Sequence, residues 1–554
     1  MAVTYMRKLE EEPETYDSGF TNLTKSINLK AQDWIMEKIK KKSNVLEVGC
    51  GPGTLSRKIA KNGNKVIAVD KNDKMIAYAI KKYQNNKNEN LSFYNGSFTN
   101  LPIEPYSQDV VVNTFMLSEL RPLEQQIFLR NTWRTLKPNG RLLIAAEFKP
   151  DGIWKLVFKF RRWRYKKKLK RLKLKETQVL DYFYQYLEPI GFKIIDKITW
   201  NHKSIQAIEL IKIENDENIK PGYYRPKSKK YKGLKSQLRI YRCLFTGQVD
   251  NVSIEPGIYK SGNPDENSPI IVTGNYEFTY IKVMRDLQGI DAWVLCIDSN
   301  GINVWCAARG DDFGNNQLLE AIKSTGIQYF TAKKRLILPQ LSAGGISIPQ
   351  LPKFSEKFPF KIVYGPIWSK YLKQYLSEKK NQKEEKMKRA NFNPFHRLRA
   401  GITHITFLFR KIFFLPLITL LIINSIFTWL NLFNRIFWIL DILIGIGISN
   451  FLITAFFPIS NFTRSFIKKG IFFGIISIFF LGGLMWILGR SLIYTFLNLT
   501  IFFWLSLFTT MSFSGYTMST NPREIQIEYP TFKKMNTMLL IIGITLSFVS
   551  LIFY

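Results

Sequence analysis

Sulfur, imidazole and negative charge are all scarce here: 554 residues hold four cysteines, three histidines and 43 acidic side chains against 79 Lys and Arg. Each shortage excludes something. Cys50, Cys243, Cys296 and Cys306 form no CxxC pair and show neither zinc nor iron–sulfur spacing, so the chain carries no cluster motif of its own. So few thiols fit a reducing compartment. The N-terminus, charged and acidic through Glu14, has no apolar core of the kind a cleaved signal peptide needs. The formal net charge of +36 points to nucleic acid or an anionic membrane as partner.

Hydrophobic residues make up 46% of the chain, ample for two or three domains, but they are unevenly spread. Apolar segments near 412–433, 437–457, 470–489, 492–512 and 536–554 are each about long enough to cross the hydrocarbon layer. They predict a five-helix transmembrane domain over 412–554, and they decide for membrane lipid over nucleic acid as partner. Arg464, Lys468 and Lys469 after the second segment, and Arg523, Lys533 and Lys534 after the fourth, outweigh Arg435 and Arg490 in the other two loops. The positive-inside bias therefore predicts a multi-pass integral membrane protein with its soluble domains in the cytoplasm. Asp441 is a rare acid for such a segment, either functional or simply at the interface near a helix start.

Toward the N-terminus, Val45-Leu46-Glu47-Val48 reads as a strand running into Gly49-Cys50-Gly51-Pro52-Gly53 and then a helix. Such a loop lets backbone approach a ligand closely. A second strand, Lys65 to Asp70, ends in an acid about twenty residues further on, the spacing at which a carboxylate meets ribose hydroxyls. Asp109 to Asn113 and Leu136 to Ile144 continue the pattern. Glu-Val-Gly-Cys-Gly-Pro-Gly resembles motif I of class I S-adenosylmethionine methyltransferases more closely than a dinucleotide fingerprint. The resemblance implies an α/β Rossmann-like methyltransferase over residues 1–212. In it Gly49, Gly51 and Gly53 face the methionine part of S-adenosylmethionine, Glu47 supports the loop and Asp70 binds the ribose. Where many relatives carry an acid near the adenine, Asn95-Gly96-Ser97-Phe98 offers Ser97. A degenerate domain kept as scaffold is the alternative.

Within this domain, Trp154 to Lys175 interleaves Lys155, Lys159, Arg161, Arg162 and Arg164 with Phe158, Phe160, Trp163, Leu169 and Leu172. A basic helix with aromatics suits an anionic membrane surface; RNA and a merely solvated face are the rivals. Residues 213–238, rich in Lys, Glu, Asn, Pro and Tyr, show no sustained apolar period and read as a tether that leaves its two domains free to meet without a rigid joint.

Residues 239–374 alternate strands with helical stretches. Ile270-Ile271-Val272, Ala292 to Ile297, Leu336-Ile337-Leu338 and Lys361 to Tyr364 read as strands, Tyr280 to Leu287 and Asn316 to Thr325 as helices. This predicts a second α/β domain with a largely parallel sheet, followed by a basic linker, 375–411. Ligands of such folds sit at the carboxyl ends of strands, where Thr273-Gly274-Asn275 and Cys306 both fall. With Asn303 as N-cap, Cys306 lies in the first helical turn, where unpaired amides and the dipole favour a thiolate. The alternative is a small buried hydrophobe.

Asn303-Val304-Trp305-Cys306-Ala307-Ala308 resembles the cap-helix signature of HgcA, the corrinoid protein of mercury methylation, itself related to the corrinoid subunit of acetyl-CoA pathway iron–sulfur proteins. Pro256 to Tyr259, Val272 to Tyr276, Leu338 to Ala343 and Val363 to Pro366 agree, and the resemblance covers about residues 240–554. It implies a corrinoid-binding domain in which Cys306 is the catalytic residue and the ligand to cobalt. Thr273, Gly274, Asn275, Asn303, Val304, Trp305, Ala307 and Ala308 would then bind the cofactor. None of His202, His396 and His404 lies in this domain, and the DxHxxG motif of histidine-ligated cobalamin proteins is missing. Arg309-Gly310 stands where the family usually has Gly-Lys, a change expected to alter the pocket and with it the acceptor.

Two motif sets on one chain imply a methyl relay from S-adenosylmethionine through a corrinoid to Hg(II), with a separate ferredoxin-like 4Fe-4S partner, as HgcB is for HgcA, returning the cobalt to its reduced state. Methylation of another soft acceptor such as an arsenical, and a corrinoid-binding membrane module without turnover, are the alternatives.

Overall fold

A computed structural model describes residues 11–83, 90–100, 103–158, 160–162, 179–213, 222–245, 252–309, 311–351, 358–377, 383–388, 393–395, 397–398, 432–517 and 522–550. The first α/β unit is built on β1 (Asn44–Val48), β2 (Lys65–Asp70), β3 (Leu91–Asn95), β4 (Gln108–Thr114), β5 (Leu136–Glu147), β6 (Phe192–Trp200) and β7 (Ile205–Lys212). Their order is β3-β2-β1-β4-β5-β7-β6. The first five run parallel, and β7 inserts antiparallel between β5 and β6. Helices cover both faces, so the central strands are nearly continuous apolar runs, such as Val110-Val111-Val112 in β4. Strand order reverses between β1 and β4, and that reversal opens a crevice at their carboxyl ends.

The second sheet has the order β12-β11-β9-β10-β8, from β8 (Gly257–Ser261), β9 (Ile270–Gly274), β10 (Ala292–Ile297), β11 (Arg335–Leu338) and β12 (Lys361–Tyr364). Four strands are parallel and β8 closes one edge antiparallel, in agreement with the largely parallel sheet expected.

The stretch 213–238 does not hang free over its described part. Tyr224 is buried in the core of the first unit, and helix Leu234–Phe245 begins inside the stretch and runs beyond it. Aromatic and arginine side chains do the pinning. Tyr223 packs over Gly326 and under the Arg130 guanidinium, 3.9 Å from its ring centre, while Arg225 Nη1 donates to Thr325 O at 3.0 Å.

A direct seam joins the two units. Helix α2 (Pro122–Thr135), which follows α1 (Thr54–Lys61) among the helices of the first unit, lies against α4 (Asn315–Thr325) of the second; the short α3 (Val304–Arg309) precedes α4. Leu123 is fully buried in the same apolar cluster as Leu318, Leu319 and Ile322. Arg121 forms an ion pair with Glu320, and Arg130 Nη2 donates to Ser324 O. Arg130 and Arg225 thus cap the carbonyl-rich end of α4, where the helix dipole favours cations.

Three helices of the described C-terminal part are long and apolar enough to cross a membrane: Leu443–Phe462, Phe466–Ile487 and Leu492–Met511. These fall on three of the five expected segments. The first, 412–433, lies almost wholly outside the described residues. The last falls in the C-terminal half of helix Pro522–Ser550, whose polar first half sets it apart from the other three. Asp441 stands just before the first apolar window, buried, with Arg490 Nε at 2.9 Å and the Tyr494 hydroxyl donating at 3.0 Å. A carboxylate so enclosed is tolerable because the guanidinium and the phenol replace its water.

Candidate functional site

The glycine loop after β1 takes a shape that side chains resist. Gly49, Gly51 and Gly53 have φ of +79°, +53° and +75°. At Gly49 a Cβ would fall 2.7 Å from Met116 Cβ, and at Gly53 2.6 Å from the Phe93 ring. Gly49 and Gly51 line the crevice, whereas Gly53 faces Phe93 and serves as the cap of α1.

Asp70 holds this turn with both oxygens: Gly51 N–H donates to Oδ2 and Asn72 N–H to Oδ1, each at 2.9 Å. Asp70 also lines the crevice, so the position expected to meet a ribose is braced before any ligand arrives. Glu47 lies beneath the loop, fully buried, and accepts a hydrogen bond from the Ser56 hydroxyl of α1. Burial pushes its pKa up to about 8, a shift the Ser56 bond only partly offsets. Cys50 is buried too; burial, with the charges of Glu47 and Asp70, raises its thiol well above the ordinary range, so it is no nucleophile. Ser97 stands on the opposite wall, its hydroxyl 3.0 Å from Thr99 Oγ1.

The motif strings gave no sign of Tyr16, Met75, Met116, Glu119 and Leu120, which also line the crevice. Tyr16 is brought in by helix Pro13–Thr24, latched where the Thr54 hydroxyl donates to Asp17 Oδ2 at 2.6 Å. The other four follow β2 and β4, so only knowledge of which strand ends converge would have found them.

In the second sheet, β9, β10 and β11 deliver three loops to one edge. Thr273 is fully buried near the end of β9, and its hydroxyl finds no hydrogen-bond partner among the described residues. A Cβ on Gly274 would fall 2.7 Å from Ser299 Oγ. The Asn275 side chain organises the loop after β10: its Oδ1 accepts from Ser299 N (2.9 Å), Ser299 Oγ (3.0 Å) and Gly301 N (3.0 Å), and its Nδ2 donates to Asp298 Oδ1 (3.1 Å). Nδ2 also donates to Ile254 O at 3.3 Å, so both polar atoms of the Asn275 side chain are engaged within the protein, as a brace for the site.

That loop leads into α3, whose first intrahelical bond runs from Ala307 N to Asn303 O at 2.9 Å, the pattern expected of Asn303 as N-cap. Val304, Ala307 and Ala308 are buried, and Gly345 of the loop after β11 presses against Ala308. The backbone of Trp305 and Cys306 is helical; their side chains lie outside the described residues. At six residues, α3 has a weaker dipole than a long helix. Cys296 is buried mid-strand, and burial raises its thiol pKa, so it offers no thiolate. Among the described residues no group of three or more His, Cys, Asp or Glu is placed to hold a metal ion.

The seam places these two regions side by side. Glu119 and Leu120 line the crevice, and the next residues, Arg121 to Glu124, belong to the contact with the second unit. Asp298, five residues before the Asn303–Ala308 segment, feels the charges of Arg121 and Glu124; burial nevertheless raises its pKa. Glu320 is also raised, to about 8, by burial that outweighs the Arg121 charge.

Comparisons with known proteins agree with this division. Residues 45–140 match the family "Methyltransferase domain", and residues 227–346 match "CO dehydrogenase/acetyl-CoA synthase delta subunit". The chain thus carries a methyltransferase domain, which implies S-adenosylmethionine, fused to a segment homologous to acetyl-CoA synthase subunits. The acetyl-CoA decarbonylase/synthase complex subunit gamma of Methanopyrus kandleri is 36% identical over 104 residues, 18% of this chain and 22% of that protein. Its counterpart in Methanothermobacter thermautotrophicus is 29% identical over 143 residues, 26% of this chain and 30% of that one. The chain therefore spans less than a third of either relative. Among solved structures, an S-adenosylmethionine-dependent methyltransferase from Methanosarcina mazei aligns over 33% of this chain and 97% of its own, at 20% identity and a TM-score of 0.29.

Proposed function

We propose that the chain is a membrane-embedded, corrinoid-dependent methyltransferase whose first domain loads a methyl group from S-adenosylmethionine for its second domain to pass on. The observation that supports this best is the seam. One short segment, Glu119 to Glu124, lines the methyl-donor crevice at one end and sits in the second domain's apolar core at the other. Donor and carrier are built as neighbours.

The second domain fits a corrinoid. The buried Thr273 hydroxyl, orphaned among the described residues, would find its partner in such a group, and a macrocycle that brings its own ring nitrogens would need only one protein donor to its metal. Cys306 is that donor in this reading. When bound, the corrinoid supplies a cobalt centre able to accept a methyl group from an electrophile and deliver it with its bonding electrons. The chain does the rest. Asp70 and the glycine loop hold the donor, Met116 and Leu120 keep water from the methyl, and Asn275 fixes the loop that leads into the helix carrying Cys306.

Resemblance at Asn303–Ala308 makes Hg(II) the proposed terminal acceptor, with a ferredoxin-like 4Fe-4S protein restoring the reduced cobalt at the cytoplasmic face. Full-length protein incubated anaerobically with methyl-labelled S-adenosylmethionine, corrinoid and reductant should place label on the corrinoid, and Cys306→Ala should alter the visible spectrum of the bound cobalt. Label found only on a small molecule, or failure to take up any corrinoid, refutes the relay. Parallel assays with Hg(II) and arsenite decide the acceptor.

A further inference from the structure

The helix that begins after Gly152 is turned the wrong way round for a soluble protein. Ile153, Leu156 and Phe160 fall at i, i+3 and i+7, one face of a helix, and that face points outward: they are 73%, 67% and 57% exposed. The opposite face holds the charge. Arg162 points inward, 3.6 Å from Glu147 at the end of β5, with its guanidinium 5.4 Å from the Phe158 ring. Trp154 lies flat on His202, rings 3.6 Å apart and 11° from parallel, which ties the helix to the turn between β6 and β7. The orientation is therefore fixed by the fold.

Around the apolar face the exposed charge is mainly positive, with Asp151 at the start of the segment as the acid nearest to it. Lys155, Arg161 and Lys203 are exposed beside it. A second copy of such a surface would be repelled. Nucleic acid would take the lysines and could stack a base on Phe160, but it has nothing to cover the aliphatic Ile153 and Leu156, the two most exposed side chains of the face. An anionic lipid leaflet accepts both features at once, acyl chains for the apolar side chains and phosphates for the cations. Among the described residues the same chain has three helices fit to cross such a leaflet.

We propose that Ile153, Leu156 and Phe160 insert into the headgroup layer of that membrane, so that the methyltransferase domain lies on the bilayer rather than swinging above it. Full-length protein in nanodiscs tests this by hydrogen exchange of the amides from 153 to 162. Exchange should slow by about tenfold or more in discs containing phosphatidylglycerol relative to phosphatidylcholine alone, and that protection should vanish in Ile153→Asp/Leu156→Asp. Binding of S-adenosylmethionine, in a crevice these residues do not line, reports that the variant is folded. Equal exchange in the two kinds of disc, or protection that survives the double substitution, overturns the proposal. So does stronger protection by RNA in detergent than by either lipid.

Discussion

At Glu47 a carboxyl group is enclosed beneath the glycine loop with the Ser56 hydroxyl as its neutral partner, and burial pushes its pKa up to about 8. The sign of the consequence follows. The unfolded chain releases this proton near the ordinary glutamate value while the folded chain keeps it, so the stabilisation is whole below that value and drains away as pH rises through about 8. Each unit of pH in that window is worth at most about 1.4 kcal/mol. Glu47→Gln should flatten the fall in melting temperature between pH 6 and 9 while S-adenosylmethionine still binds, read by calorimetry at each pH. Asn275 gives the second test at this scale. Asn275→Ala strands the amides of Ser299 and Gly301 in the interior and should cost about 2–4 kcal/mol in denaturant unfolding. The role found for Asn275 differs from the one its motif suggested, because a sequence string records where an amide stands and not which of its atoms are already taken. The positions of Glu47, Asp70 and the glycines around one loop were legible since they follow from spacing along one strand and turn.

Among elements, the contact of α2 with α4 carries the most weight. Leu123→Ala removes a fully buried side chain from the second domain's cluster and should destabilise by about 2–4 kcal/mol. If the seam serves the relay, the same change slows methyl passage to the corrinoid while leaving affinity for S-adenosylmethionine intact, which isothermal titration and single-turnover labelling separate. No local pattern announced this seam. Arg121 and Glu320 are 199 positions apart, and no motif marks Leu123. The central strands of both sheets, by contrast, were visible as branched apolar runs between turn residues, whereas β3, β6, β7 and β8 were not read from the sequence.

For the molecule as a whole, the pinned connection between the domains makes them one thermodynamic body. The soluble part should melt in a single transition, and Arg121→Ala combined with Leu123→Asp should split it into two, followed by differential scanning calorimetry in detergent. The tether reading failed because polar, proline-bearing composition describes a connection's solubility and is silent on aromatic side chains such as Tyr223 and Tyr224 that find a surface to lie on.

Tyr223 occupies the space that a side chain at position 326 would need, 2.4 Å from where its Cβ would be, and Gly326 itself has a φ of +61°. The two positions therefore form a lock and key that can be read in other chains without any coordinates. A homologue that keeps the aromatic ring and the glycine has its two α/β units clasped; one that has exchanged the glycine must have released the ring, and in it the two units work at arm's length.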